Sequence, residues 1–431
     1  MQVSIESVPS RRLVVIISSL VAATLIFQAS EFWIANRQIQ SGRLVLMERG
    51  AALLPGNGEA WDRIGRFWQF DFASPDSSKA VQAYLRAVRD DPNSSFYWMD
   101  LASGYEDVGD FARARQAFER AQSVYPISAL VAWNYGNFLV RRGDDTQGYK
   151  KIREAVQSDK KLTPLAISRT WRSSDDVNSL LNGALPATAD AYLQALNFFT
   201  SINRVDAALT VWNRLVALGQ PVPLPETLAF LDKLIASDAS SQALQVWRQA
   251  LRLAGAPESE PKNGSLIRNG DFARDFANGG LDWRWASPFG VEAAFDAPPP
   301  SRSGRSLRLN FGGGANLALA APAQFVPVEP NHTYHFHAYM RSAEITTDQG
   351  VHFSVLDPHH ASAVNLTTED FTGSHPWTAI DEELTSGPES HFLLVRLVRE
   401  PSRLFDSKIA GTSWIADISL TPKSGSAPSA P

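Results

Sequence analysis

Large and small apolar residues recur along this chain at a fixed interval. Trp98, Leu101, Tyr105, Ala114, Phe118, Ala121 and Pro126 stand at offsets 4, 7, 11, 20, 24, 27 and 32 of a frame that begins at residue 95. Moving the frame on by 34 residues places Tyr135, Gly136, Leu139, Ile152 and Ala155 at offsets 7, 8, 11, 24 and 27. One frame earlier, Ala80, Tyr84, Ala87 and Pro92 hold the second-half offsets. Within each frame the apolar positions fall three or four residues apart, so each unit predicts two amphipathic helices stacked as a hairpin. Small residues let the two helices approach closely, and the large ones fill the space between adjacent hairpins.

The pattern changes along the chain. A helix is expected over Gln38–Leu54, closed by the breaker cluster Pro55-Gly56-Asn57-Gly58. In the first repeat Trp61, Ile64, Gly65 and Trp68 take the early positions, and about three extra residues enter between Phe70 and Ser78. The third repeat ends at Lys160. Residues 163–188 carry Ser173, Ser174, Asp175, Asp176 and the Gly183–Pro186 stretch, so a helix there is expected to be interrupted. Ala208, Trp212 and Leu215 then return as Ala243, Trp247 and Ala250, a spacing of 35, with first helices expected over Ala191–Thr200 and Pro225–Ala236. About five repeats result, the last two degenerate. Beyond a Pro/Gly/Glu-rich linker, short alternating segments take over: Ser306–Phe311, Tyr334–Tyr339, Val351–Val355, Phe392–Val398 and Ser413–Leu420. Many short strands separated by Gly and Pro predict a two-sheet antiparallel sandwich.

Two resemblances follow from these residues. The helical spacing resembles the tetratricopeptide repeat family, with Ala102 where Gly is common. That resemblance implies a surface for holding protein partners. In the strand-rich part, Leu266-Ile267-Arg268-Asn269-Gly270-Asp271-Phe272 opens the domain, with Leu281-Asp282-Trp283 soon after, and Ser413-Trp414-Ile415-Ala416-Asp417-Ile418-Ser419-Leu420 closes it. These motifs resemble jelly-roll carbohydrate-binding modules of the galactose-binding-like superfamily. The resemblance implies that the opening and closing segments are strands lying near each other. Some relatives hold a structural calcium there. Here Ala273 and Ala416 replace two of the acids, leaving Asp271 and Asp417 as candidate ligands, and an ordinary solvated Asp is the expected role; no cofactor is expected.

The N-terminus adds a different element. Arg11 and Arg12 precede an apolar run from Leu13 to Phe27 that continues to Phe32, Trp33 and Ile34. Extended to Ile34 it is long enough to span a bilayer, with interfacial aromatics at its end. The small-residue rule for signal cleavage fails at Phe27 in Phe27-Gln28-Ala29. An uncleaved anchor is the favoured reading, with a cleaved signal and a buried helix as alternatives. The arginine pair places the N-terminus in the cytoplasm and the bulk of the chain outside a single-pass inner membrane. The expected organisation is a cytoplasmic N-terminus (1–12), an anchor (13–35), a connecting helix (36–60), an all-α repeat solenoid (61–254), a linker (255–264), a β-sandwich (265–422) and a disordered tail (423–431).

Composition narrows function. The 431 residues include no cysteine, which removes disulfides, thiolate zinc sites and cysteine nucleophiles. A net charge of −5 and a pI near 5.9 argue against nucleic-acid binding. All eight histidines lie between His332 and His391, yet no HExxH spacing occurs. His335 and His337 share one strand face, while Tyr334, Phe336 and Ala338 turn to the core. No G-x-S-x-G nucleophile pattern occurs, and Gly312-Gly313-Gly314 reads as a hairpin or bulge. Candidate ligand residues are Trp285, Phe289, His335, His337, Tyr339 and Trp377, because aromatic faces stack on sugar rings; Trp283 and Trp414 are expected as core plugs. In the array, Arg113, Arg120 and Arg141, with Arg115 and Arg142, are candidates for a partner groove, against a plain solvated face. The expectation is a non-enzymatic, membrane-anchored scaffold in envelope or exopolysaccharide assembly, with protein partners and no nucleic acid. The alternative is a carbohydrate-binding protein whose repeats act as a docking arm.

Overall fold

The computed structural model describes residues 8–257 and 264–423. Residues 1–7 of the expected N-terminal segment, 258–263 of the expected linker and 424–431 of the expected tail lie outside the described residues. The chain divides into two compact units, Met1–Pro186 and Ala187–Pro431.

The first unit is all-α. Helix α1 (Val8–Ile39) turns through Ser41-Gly42 into α2 (Leu44–Leu53). The single helix expected over 38–54 is therefore broken, because Gly42 adopts a left-handed conformation (φ +70°) that ends α1 and reverses the chain. Gly50 makes the reversal compact: a Cβ there would lie 2.7 Å from the Ala35 carbonyl oxygen. The hairpins α3 (Gly58–Phe70) with α4 (Ser77–Asp90), α5 (Ser95–Asp107) with α6 (Phe111–Val124), and α7 (Ala129–Arg141) with α8 (Asp145–Ser158) follow. Each of these six helices starts at an Asn, Asp or Ser whose side chain accepts a backbone N–H of the first turn. Tyr84, Leu101, Ala102, Tyr105, Ala114, Phe118, Tyr135 and Leu139 are buried, as the 34-residue register requires. The first hairpin's inner turn runs Asp71–Asp76, against Val108–Asp110 in the next, which is the expected insertion. A final pair, α9 (Thr163–Ser174) and α10 (Val177–Ser179) running into a π turn at Leu180–Ala184, is interrupted at Asp175 (φ 47°) and recapped by Asp176.

The second unit combines helices and sheets. Hairpins α11 (Ala189–Ser201) with α12 (Val205–Leu218) and α13 (Pro225–Ala236) with α14 (Ser240–Leu253) bury Ala208, Trp212, Leu215, Ala243, Trp247 and Ala250. Strands β1 (Val291–Asp296), β2 (Ser306–Gly312), β3 (Ala323–Pro327), β4 (Thr333–Ile345), β5 (His352–Leu356), β6 (Asn365–Thr367), β7 (Gly373–Thr385), β8 (Phe392–Val398) and β9 (Ala410–Pro422) form two antiparallel sheets, ordered β1-β2-β9-β4-β7 and β3-β8-β5-β6. The core between them holds Phe272, Trp283, Leu309, Phe336, Met340, Phe353, Val395 and Ile415.

The boundary expected at 255–264 does not separate the last hairpins from the sandwich. Gly279 and Gly280 sit so close to Leu228 and Trp247 that a Cβ would come within 3.0 and 2.6 Å of them, and Asp232 accepts from the Gly280 amide at 3.0 Å. Nor is the opening segment a strand. Asn269 and Phe272 take left-handed conformations (φ 51° and 48°), so 265–272 runs as turns. It still lies along β9, with Leu266 N–H donating to Leu420 O at 2.7 Å and Ile418 N–H to Gly270 O at 2.9 Å.

Candidate functional site

The outer face of the five-stranded sheet gathers most of the candidate ligand residues. Strand β4 alternates strictly, so Tyr334, Phe336, Ala338 and Met340 enter the core and His335, His337, Tyr339 and Arg341 face outward. On the neighbouring edge strand β7, His335 pairs with Glu383, His337 with Asp381 and Tyr339 with Ala379. Beyond the Met340–Thr378 pair the register shifts, and Trp377 and Arg341 both fall in that irregular stretch before Ser342 meets His375. On the other side, Arg341 lies opposite Trp414 of β9, and Trp414 opposite Arg308 of β2. A row Arg341, Trp414, Arg308 thus crosses the sheet, with Trp377 in the irregular stretch of β7 at its edge.

Trp414 corrects an expectation: it is half-buried on this face and is not a core plug, whereas Trp283 is fully buried. The cause is a bulge. Between His337–Ser419 and Tyr339–Ala416 one extra residue enters β9, with Asp417 left-handed (φ 49°). Counted back from the buried Ile418 and Leu420, strict alternation would bury Trp414; the inserted residue reverses the parity and buries Ser413 and Ile415 instead.

Charges on the face are mostly paired. Asp381 Oδ1 lies 2.7 Å from His337 Nδ1 and 3.2 Å from His335 Nε2. Lys423 meets Glu383 at 2.7 Å, and Arg308 meets Asp296 at 3.2 Å. Arg302 reaches from the loop before β2, donates to the Tyr339 hydroxyl at 2.6 Å, covers that ring at 4.7 Å and pairs with Asp417 at 3.2 Å. The Tyr339 hydrogen bond, and then the Asp417 charge, hold the Arg302 guanidinium more firmly protonated than usual. Arg341 stacks on Trp414 at 4.6 Å, and the Trp414 indole N–H donates to Asp296 at 2.9 Å.

The remaining candidates lie elsewhere. Trp285 packs against the sandwich core, its backbone N–H donating to Asn278 Oδ1 at 2.9 Å, and Phe289 is exposed in the loop before β1. Asp271 accepts from the Ala273 amide at 3.3 Å, and Asp417 is held by Arg302. Among the described residues no three His, Asp or Glu converge as a metal ligand set. Arg341, Trp414 and Arg302 were not candidates from the sequence. Arg341 had a signal: it is the next step of the alternating series 335, 337, 339.

In the first unit, Arg141 forks onto Glu106 at 2.7 and 2.8 Å, Arg113 pairs with Asp110 at 3.2 Å and Arg120 lies 6.0 Å from the centre of the Trp98 ring. Arg115 pairs with Asp144 at 3.1 Å, and Arg142 covers Phe111 at 3.7 Å. These arginines are engaged within or between neighbouring hairpins. A hollow of about 760 Å³ opens beside the first two hairpins, lined by Phe67, Phe70, Phe72, Phe96 and Tyr97 together with Glu59, Asp62, Arg63 and Arg66. Phe70, Phe72 and Phe96 are exposed.

Fold and surface define a modular chain: helical hairpins behind an apolar N-terminal helix, and an antiparallel sandwich with an aromatic and cationic outer face. No family model matches the chain, and no curated protein matches it. Among solved structures, the enzymatically active domain of tailspike protein 4 of bacteriophage CBA120 is similar over 37% of this chain and 22% of that one, at 16% identity and a TM-score of 0.29. The pilF protein of Pseudomonas aeruginosa is similar over 53% and 92%, at 12% identity and a TM-score of 0.28. The MamA protein is similar over 46% and 92%, at 14% identity and a TM-score of 0.23. This chain spans less than a quarter of the tailspike chain's length. Likeness at these scores carries no argument about function.

Proposed function

We propose that this protein is a membrane-tethered, non-enzymatic adaptor whose first helical unit holds a protein partner next to the membrane. One observation carries the reading. The apolar stretch of α1 is wholly exposed from Leu13 to Phe27, yet its far end is built into the array through Ala35 and Ile39, buried with Met47 and Ala51 of α2. A water-exposed apolar helix of this length is costly unless lipid covers it. Arg11 and Arg12 favour a cytoplasmic N-terminus and an extracytoplasmic bulk, consistent with a place in envelope or polysaccharide assembly. The aromatic hollow then lies on the same unit as the anchor.

The test is a photo-crosslinking residue placed at Phe96 or Phe72 in the full chain in its native membrane, with Leu165 on α9 as control. A discrete adduct from the hollow but not from Leu165, in protein that resists carbonate extraction, is expected. Extraction of the whole protein by carbonate, or equal adducts from both places, overturns the reading.

A second reading has its own observation: His335, His337, Tyr339 and Trp377 share one face with Trp414. Aromatic rings among hydrogen-bonding groups on an open sheet face suit a carbohydrate, with the helical unit as docking arm.

A further inference from the structure

We infer that the outer face of the five-stranded sheet takes an acidic polysaccharide of low charge density, a polyuronate, whose carboxylate is received by Arg341. The inference rests on the carbohydrate reading of that face and adds the charge of the sugar. Arg341 is exposed, and among the described residues it makes no ion pair; its partner is the Trp414 ring. Its neighbours differ. Arg302 is neutralised by Asp417, Arg308 by Asp296, Lys423 by Glu383, and the two histidines share Asp381. One uncompensated guanidinium is left in the row.

Its setting suits a sugar acid. Stacking on Trp414, itself fixed by Asp296, holds the guanidinium plane while leaving its N–H edge for a ligand. That edge matches a carboxylate bidentately. Trp377 lies in the irregular stretch of β7 opposite Arg341, between the Met340–Thr378 and Ser342–His375 pairs, and Tyr339 is about 7 Å away along β4, so aromatic side chains neighbour the cation. Hydroxyl groups of the sugar would meet His335, His337 and Asp381. The same face argues against a dense polyanion. Asp417, Asp296, Glu383 and Asp381 already occupy the other cations, so a sulfated chain or a nucleic acid would find a single free cation to pair with. One free cation among neutralised pairs fits a polymer with one carboxylate per sugar and no more.

The test is affinity electrophoresis of the full-length protein in detergent through gels containing polygalacturonate, dextran or dextran sulfate, with thermal unfolding to check each variant's fold. Polygalacturonate is expected to retard the wild type and dextran much less. Arg341→Gln should weaken polygalacturonate binding about tenfold, since a charge-assisted bidentate bond is lost. Arg341→Lys should fall between, and Trp377→Ala should weaken it too. Equal binding to dextran and polygalacturonate, with Arg341→Gln silent, overturns the acidic-sugar inference and leaves the carbohydrate reading standing. No retardation in any gel overturns both. Dextran sulfate bound more tightly than polygalacturonate, with no response to Arg341→Gln, shows bulk charge attraction and overturns the inference.

Discussion

Asp62 is a buried acid held against a second acid by a single cation. Its carboxylate meets Arg66 Nε at 3.1 Å, the same Arg66 Nε donates to Asp100 at 2.7 Å, and the other Asp62 oxygen has no hydrogen-bond partner. Burial, and then the neighbouring Asp100 charge, push Asp62 up to about 8. The sign follows from linkage. The folded carboxyl holds its proton where the unfolded one, near 3.8, has lost it, so this group's contribution to stability falls as pH rises from about 4 to about 8 and is level above. Asp62→Asn removes that penalty while keeping the shape. The variant should unfold at a higher temperature than the wild type at roughly pH 8.5, and the gap should close towards roughly pH 4.5. A variant less stable at high pH would mean that Asp62 is ionised and held by Arg66.

Hairpins set the scale at which the sequence was most legible. The 34-residue register is a packing rule, and it returns as contacts: Arg66 with Asp100 and Gln69 with Ser103 are each 34 apart. Gly136 shows what the small positions do. A Cβ there would sit 2.9 Å from the Gly148 carbonyl oxygen and 2.9 Å from Ile152 Cγ1, so α7 and α8 touch through backbone. Gly136→Ala should cost about 1–3 kcal/mol in chemical denaturation, as overpacking does, and the exposed Ser123→Ala close to nothing. An unchanged midpoint for Gly136→Ala would remove the close-approach account. Strands were less legible. β7 was missed because nine of its thirteen residues are exposed, and it carries Pro376, tolerated because β7 is an edge. The face on β4 was read from simple alternation, which found His335, His337 and Tyr339. Trp414 was misplaced because one bulged residue at Asp417 reverses a period of two. A period of 3.6 spread over two helices tolerates a local insertion, as at Asp71–Asp76; a period of two does not.

At the scale of the whole molecule the composition boundary and the folding boundary part company. The change from helical to strand-rich sequence falls near residue 260, but the compact units divide after Pro186. The reason lies in what α13 and α14 bury. Trp247 is 2% exposed with Gly280 packed on its ring, and the half-buried Leu228 lies against Gly279. Asp232 receives the Gly280 amide at 3.0 Å and Arg284 at 2.5 Å, joining the helix to the segment that crosses onto β3. Removing the helices would strip an apolar patch from the sandwich and leave Arg284 without its carboxylate. A fragment of residues 187–423 should therefore fold on its own and unfold in one transition, while a fragment of residues 265–423 should be less stable and aggregate more readily. Replacing Gly280 with Val, which must collide with the Trp247 ring and adopt φ +58°, should lower the midpoint of the longer fragment and leave the shorter one unmoved by that collision. Equal stability of the two fragments would restore the linker near residue 260 as the true boundary, and the last two hairpins would then belong with the array that precedes them.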